Sequence, residues 1–479
     1  MSRRPKYDRD IRCIKCKVNN GKIVVRHAVY CKECFPALLN SKVKRSFEPF
    51  INSKPESSRK KSLKASGNLF IGFSGGLGST VLLDLISRIY FSNKLEIKSQ
   101  EAKARGGKDH PRNEPVWKKA SVCYVEISAG FPEMVDRTDD VRRLIEEKYE
   151  AFEFIPVRLE DAFDPKWWDK AGGKAALDVI ANGNSEDLFF STVCGDSISD
   201  PTAKLHSYIS ALPTRTAVDS GIRTLTRLLL LHTAHHNQSS HLLLGTSLTS
   251  LSIGLISSIS QGGGYSVREE SQEEWNPSGT SPIRLVRPLQ EITMKECSIW
   301  AWWNGLQVLG REKHQQGIGA LTKNFIVGLE RDYPSTVSTI ARTCAKLTPK
   351  VGAGGLCILC ERPLQPGVQE WKSSISIRAT TNSPSAVPSP LLKSLTPHLC
   401  YSCHTTLTSR SSKSIPSSAS ASLVLPLWAS AHLQEPSNDT RSIDQTVQEE
   451  VKEAGTDVWI ARKVGRDEMK ASIGDFLIE

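Results

Sequence analysis

The run Leu69-Phe70-Ile71-Gly72-Phe73-Ser74-Gly75-Gly76-Leu77-Gly78-Ser79-Thr80-Val81-Leu82-Leu83-Asp84-Leu85-Ile86 decides the fold. It begins as an apolar strand and ends as an apolar helix, with serine and glycine between. Strand, glycine turn, helix is a way to hold an anion. The glycines allow a tight turn, and the first N–H groups of the helix have no partner within it. Ser74, Gly75, Gly76, Gly78 and Ser79 are therefore the candidate nucleotide-binding residues. The loop lacks the acidic group that an ATP-activating enzyme would use to organise magnesium, because Gly78 cannot supply one.

Working outward, a second strand is expected at 120–127, a helix at 139–149 and a third strand at 152–159. Residues 164–200 show no clear period. Residues 214–235 place Ala217, Ile222, Leu225, Leu228 and Leu229 at helical spacing. An apolar strand follows at 241–245, then a Ser/Thr-rich helix to about Ser260, a loop over 266–281, a short strand at 283–289 and a Trp-rich helix at 292–306. Strands alternating with helices imply an open parallel α/β sheet, and such sheets take ligands at the carboxyl ends of their strands.

Two cysteine quartets flank this region. Cys13-x2-Cys16 and Cys31-x2-Cys34 form the first, Cys357-x2-Cys360 and Cys400-x2-Cys403 the second. Paired C-x2-C knuckles bring four thiolates together as a closed tetrahedral cage, so two structural zinc sites are expected. An iron–sulfur cluster is the rival occupant of the second quartet. Cys123, Cys194, Cys297 and Cys344 are scattered and read as inert thiols.

The expected organisation is a zinc module with a basic linker over 1–66, the α/β domain over 67–345 with an insertion at 97–119, and a second zinc module over 346–408 with an insertion at 366–397. A disordered low-complexity stretch over 409–446 and a tail over 447–479 complete it. The 479 residues carry a net charge of +11, which suits a nucleic-acid partner. Lys15, Lys17, Arg26, Lys42, Lys44 and Arg45, near the first quartet, are the candidate nucleic-acid-binding cations. The charged start of the chain is unlike a secretory signal, and no run of about 18 apolar residues suggests a membrane span. A cytosolic or nuclear location is expected.

Cys-Ile-Lys-Cys-Lys at 13–17, Tyr-Cys-Lys-Glu-Cys-Phe at 30–35, Phe-Ser-Gly-Gly-Leu-Gly-Ser at 73–79 and Leu-Leu-Gly-Thr-Ser-Leu-Thr-Ser-Leu at 243–251 occur in one order. In that order they resemble the cytoplasmic tRNA 2-thiolation protein 2 family, the second subunit of the eukaryotic wobble-uridine thiolase. The wider group is the PP-loop ATP pyrophosphatases. The resemblance implies an open parallel α/β sheet of the PP-loop (adenine nucleotide alpha hydrolase-like) type, flanked by N- and C-terminal cysteine-rich zinc modules. Active relatives carry Ser-Gly-Gly-x-Asp-Ser, whose aspartate falls on Gly78. They also carry Gly-His-Asn-x-Asp-Asp, which falls on Gly245 to Ser250, so that Thr246 replaces the histidine and Thr249 and Ser250 replace the carboxylates. A cysteine that follows their Lys-Glu helix is missing from Leu306-Gln307-Val308-Leu309-Gly310.

The resemblance therefore implies a non-catalytic subunit, binding ATP weakly at most. Its implied partners are cytoplasmic tRNA 2-thiolation protein 1, tRNA (for Lys, Glu and Gln) and a thiocarboxylated ubiquitin-related modifier, with a further part in conjugating that modifier to proteins. The alternative is an ATP-dependent tRNA sulfurtransferase active in its own right.

Overall fold

The computed structural model describes residues 12–25, 28–51, 65–91, 116–131, 134–174, 176–182, 188–192, 200–276, 282–310, 317–349, 352–368, 393–409 and 423–434. β1 (Ile23–Val25) pairs antiparallel with β2 (Ala28–Tyr30), and α1 (Cys34–Ile51) follows. β3 (Asn68–Gly72) runs through the glycine loop into α2 (Leu77–Ile86). Next come β4 (Ala120–Glu126), α3 (Thr138–Lys148), β5 (Glu153–Arg158) and α4 (Pro165–Lys170). The strands β6 (Val179–Asn182) and β7 (Phe189–Thr192) precede α5 (Pro201–Ala211) and α6 (Arg215–His236). The sheet resumes with β8 (Ser239–Leu244), α7 (Leu248–Ser260), β9 (Glu273–Trp275), β10 (Ile283–Val286) and α8 (Met294–Trp303). Helices α9 (Ile318–Asp332) and α10 (Pro334–Cys344) lead to β11 (Lys393–Ser394), α11 (Tyr401–Thr408), β12 (Leu423–Val424) and α12 (Leu427–Gln434). Met1–Leu433 cluster as one unit and Gln434–Glu479 as another; of the latter only Gln434 is described.

The main sheet has the order β5-β4-β3-β8-β10-β9, parallel except for β9, which is antiparallel at the edge. Its central strands β3 and β4 are buried on both faces because helices cover each side, as parallel sheets require, whereas edge strand β5 is largely exposed. Alternate side chains divide between the two faces. Phe70, Cys123, Val125 and Leu242 face a core with Leu225, Leu228 and Leu229 of α6. Leu69, Ile71, Val122 and Leu243 face a second core with α1, α2 and α8, through Phe35, Phe47, Leu82 and Trp300. The helix starts are specified locally. Thr214 caps α6 by accepting from Ala217 N at 3.0 Å, and Thr293 and Glu296 form a reciprocal capping box on α8.

The open, mostly parallel sheet expected from the alternating pattern is present. Several segments depart from expectation. Residues 266–281 contain β9, whose Trp275 is buried. Residues 164–200 contain α4, β6 and β7, and the last two form a second, antiparallel sheet of order β11-β7-β6-β12. Its outer strands come from the stretches expected to be an insertion and a disordered segment. Within 366–397, Leu395 is fully buried; within 409–446, residues 423–434 are ordered and Trp428 is 1% exposed. Their low-complexity surroundings hid short apolar runs that fill the core against α6. Within the expected insertion at 97–119, Trp117 stacks on Phe47 at 5.4 Å between ring centroids. Residues 97–115, 369–392, 410–422, 435–446 and 447–479, with Cys194 and Arg26, lie outside the described residues.

Candidate functional site: a closed glycine loop, a cavity and two cysteine quartets

β3 delivers the glycine loop to the carboxyl end of the sheet. Gly75 turns the chain at φ +72°, a conformation that costs glycine nothing. Ser79 Oγ and Thr80 Oγ1 each donate to Gly76 O at 2.9 Å, and Ser74 Oγ lies 3.2 Å from Ser79 Oγ. Gly76 N-caps α2 with no side-chain capping bond. The five candidate nucleotide-binding residues thus form one turn, with Ser74 exposed at its tip.

The loop is closed by backbone. A Cβ placed on Gly78 would sit 2.0 Å from Gly245 O, and one placed on Gly245 would sit 2.4 Å from Ser79 N. The space that a side chain at position 78 would need is therefore filled by the carbonyl of the β8–α7 turn. From another side, Leu309 N and Gly310 N donate to Gly75 O at 3.1 and 2.8 Å. The three segments in which the sequence departs from the active pattern meet here: Gly78, Gly245–Ser250 and Leu306–Gly310. Within the second, Ser247 N-caps α7 by accepting from Ser250 N at 3.2 Å. Thr249 Oγ1 donates to Glu330 Oε2 at 2.8 Å and accepts from Met294 N at 3.0 Å. Hydroxyls at these positions tie α7 to α9 and to the start of α8.

Each quartet gathers its four sulfurs within 4.8 Å of one another. Cys16 Sγ lies 3.8 Å from Cys31 Sγ, and Cys360 Sγ lies 3.8 Å from Cys400 Sγ. A tetrahedron with metal–sulfur bonds of about 2.3 Å has edges of about 3.8 Å. Both donor sets therefore fit one tetrahedral ion. A cubane cluster, with four irons between its thiolates, needs sulfurs set farther apart. Burial opposes ionisation of Cys13, yet the backbone N–H groups of Cys16, Cys31 and Lys15 outweigh it and hold the thiol down to about 6. That favours a thiolate ready for metal. Cys123, Cys297 and Cys344 are buried, and burial raises the pKa of each above the ordinary thiol value.

The second quartet is not a separate appendage. Cys360, Cys400 and Cys403 line the same cavity, of about 620 Å³, as Ser74, Gly76, Gly78, Ser79 and Thr246. Arg227 of α6 donates both to Cys360 O and to Glu273, and Arg362 donates to Glu270. Burial opposes ionisation of Glu270, but Arg362 and Arg287 outweigh it and hold the carboxyl down to about 2. Glu361, buried beside Cys360, accepts from Trp275 Nε1 at 2.8 Å and lies 3.4 Å from His232 Nε2. None of these charged residues stood out in the sequence. The available signal was position: Arg287 directly follows the apolar strand Ile283–Val286, and Glu361-Arg362 directly follow a knuckle.

The basic candidates part company. Lys15, Lys17, Lys44 and Arg45 are exposed. Lys42 is not a surface cation: it pairs with Glu296, and the two side chains are 11% and 3% exposed. Arg45 pairs with Glu291 at the surface.

The strand order, the glycine loop at a strand's carboxyl end and the paired knuckles define an open, mostly parallel α/β protein with two cysteine quartets that could each hold a metal ion. Residues 317–405 match the family model described as Cytoplasmic tRNA 2-thiolation protein 2. The protein of that name from Bos taurus is 25% identical over 387 residues, covering 73% of this chain and 72% of its own length. Its counterpart from Phaeosphaeria nodorum is 24% identical over 377 residues, covering 74% and 85%. The one from Xenopus tropicalis is 30% identical over 217 residues, and the match covers 41% of this chain and 40% of that protein. Over most of its length the chain is similar to proteins named cytoplasmic tRNA 2-thiolation protein 2. Among solved structures, it resembles the U34-tRNA thiolase NcsA from Methanococcus maripaludis with its [4Fe-4S] cluster, at 15% identity and a TM-score of 0.43, covering 71% of this chain and 89% of that one. Among the described residues no helix is long and apolar enough to cross a membrane.

Proposed function

We propose that this chain is the non-catalytic subunit of a cytoplasmic tRNA-thiolating heterodimer. It acts in 2-thiolation of the wobble uridine of tRNAs for Lys, Glu and Gln. Its active partner is cytoplasmic tRNA 2-thiolation protein 1, and sulfur arrives on a thiocarboxylated ubiquitin-related modifier, which the complex also helps to conjugate to proteins. Homology to cytoplasmic tRNA 2-thiolation protein 2 supports a role in tRNA thiolation. One observation carries the non-catalytic part: Gly245 O occupies the space that a carboxylate at position 78 would need. Without that acid the loop has nothing to organise magnesium against a triphosphate.

In this reading zinc fills both quartets and fixes the modules as folded units, since four thiolates close its coordination shell. Lys15, Lys17, Lys44 and Arg45 contact tRNA phosphates, which position the nucleic acid without reading its sequence. The glycine loop (Ser74, Gly75, Gly76, Gly78 and Ser79) holds nucleotide weakly at most.

The test is reconstitution with purified components. The chain alone, given ATP, magnesium, the thiocarboxylated modifier and tRNA, is expected to form no 2-thiouridine and no AMP. Addition of a homologue with an intact Ser-Gly-Gly-x-Asp-Ser loop is expected to start the reaction, and omission of this chain to abolish it. Thiolation by the chain alone would replace this reading with that of an independent sulfurtransferase.

A further inference from the structure

The first cysteine module carries charge that nothing around it answers. Between Arg12 and Cys34 the described residues include five exposed cations, Arg12, Lys15, Lys17, Lys22 and Lys32, and one acid, Glu33. Glu33 accepts from Asn19 Nδ2 at 2.6 Å, and none of the five cations has an ion pair among the described residues. Surface arginines elsewhere do find partners: Arg45 pairs with Glu291, Arg143 with Asp140 and Arg223 with Asp219. Like charges gathered on one small module repel one another unless a polyanion faces them.

The same module exposes two aliphatic side chains. Ile14 is 57% exposed and Val18 is 76% exposed. Ile14 lies within the turn that Lys17 N closes on Cys13 O at 2.8 Å, and Val18 directly follows it. Lys17 holds φ +57°, a conformation that favours glycine. Glu361 has the equivalent place after Cys360, at φ +51°, and there the side chain is used, accepting from Trp275 Nε1 at 2.8 Å. Lys17 keeps a side chain in the same unfavourable backbone conformation with no partner inside the fold. A nucleic-acid duplex would answer the charge but not the aliphatics, because its base faces are stacked inside. Unpaired nucleotides offer phosphates and open base faces together.

We propose that the tip of the first knuckle binds unpaired nucleotides of an RNA, with Ile14 and Val18 packed on base faces and Lys15 and Lys17 on the flanking phosphates. Arg12 adds a planar guanidinium of the kind that stacks on bases. The inference rests on the tRNA reading above and narrows it: a module that only positioned phosphates would need no exposed aliphatics.

The experiment is fluorescence anisotropy titration of the full-length, metal-loaded protein with labelled RNA. The probes are a blunt duplex, the same duplex with an unpaired 3′ end, and the same stem closed by an unpaired loop. Wild type is expected to bind the probes with unpaired nucleotides about tenfold more tightly than the blunt duplex, roughly the worth of burying one aliphatic side chain. Tighter binding of the unpaired end assigns the site to a strand end, and tighter binding of the loop assigns it to a loop. Ile14→Ser combined with Val18→Ser should abolish the preference and leave duplex binding unchanged. Lys17→Gly should instead weaken all three probes and lower the salt slope by about 0.7–0.9, the value of one phosphate contact. Its metal content should not change, since glycine suits that backbone. Equal affinity of wild type for all three probes overturns the proposal and leaves the phosphate contacts standing, whereas binding to none of them removes both. A preference unchanged in the double variant also overturns it and assigns Ile14 and Val18 to a protein partner. If the double variant loses metal, Val18→Ser alone decides, and a full preference retained there overturns the proposal.

Discussion

Gly78 is the residue on which the functional reading turns. In the sequence it is a substitution at a position that active relatives reserve for an acid. In the fold it is a requirement, because Gly245 O lies where its side chain would begin. The two glycines are mutually necessary, since a Cβ on either enters the backbone of the other. Restoring the acid therefore should not restore chemistry. Gly78→Asp is expected to destabilise the protein by about 1–3 kcal/mol, in the manner of an overpacked site. Its thermal midpoint should fall by several degrees, and ATP-to-AMP turnover should stay absent. A variant as stable as wild type that gained turnover would show that the loop opens easily and that the acid alone was missing. Lys42 teaches the converse lesson. As a lysine among lysines it reads as a phosphate contact, but Glu296 holds it inside, and Glu296 also caps α8. The partner lies 254 residues away, beyond any local pattern.

At the scale of elements, the quartets are the parts whose stability hangs on a ligand. The first knuckle pair ends in Cys34, the opening residue of α1, so a metal held there would fix the start of a helix whose Phe35, Leu39, Val43 and Phe47 enter the main core. The second pair ends at α11, where Cys400 Sγ lies 3.5 Å from Cys403 N at the helix start. Purified protein is expected to hold about two zinc equivalents per chain, the number for two closed four-thiolate sites. Cys13→Ser and Cys400→Ser should each remove about one equivalent and lower the thermal midpoint, because metal binding to such sites is folding free energy. Elemental analysis with thermal unfolding measures both. Iron at cluster stoichiometry, or metal unaffected by either substitution, would contradict the single-ion geometry set by the 3.8 Å sulfur separations.

Across the whole molecule, the N-terminal helix and the sheet behave as one body. His241 of β8 shows how they are joined. Its Nε2 donates to Phe50 O at 2.8 Å, so Nδ1 accepts from Ser240 Oγ, also at 2.8 Å. Arg284 Nη1 donates to the same Phe50 O at 3.0 Å. The ring is enclosed by Phe47 and Trp117. Burial lowers the His241 pKa and the Arg284 charge adds to this, while the bond to Phe50 O opposes it. The folded state therefore binds fewer protons here than the unfolded chain. This contribution to stability is full above about pH 6.5, the ordinary histidine value, and is lost as pH falls toward the lowered folded value. Denaturant midpoints are expected to drop further between about pH 7 and about pH 5 in wild type than in His241→Gln. Identical pH profiles would mean that the charge is accommodated without opening the joint.

The sequence by itself determined the parts whose causes are local. The glycine turn between strand and helix is set by residues that are neighbours in the chain. The alternation of strands and helices is written in their periodicity, and each knuckle is written in two-residue spacing. Those patterns were enough for an open parallel sheet, a loop at its carboxyl end and two cysteine quartets. Only the tertiary structure decided that Gly78, Gly245–Ser250 and Leu306–Gly310 converge on one turn. It also decided that the second quartet shares a cavity with that turn, that Lys42 pairs with Glu296 inside the fold, and that two strands from low-complexity surroundings complete a second sheet. The physical reason is the same in each case. A turn or a helix start is satisfied by atoms a few residues away, whereas a buried charge, an edge strand or a closed loop is satisfied by whichever distant segment the packing brings to it.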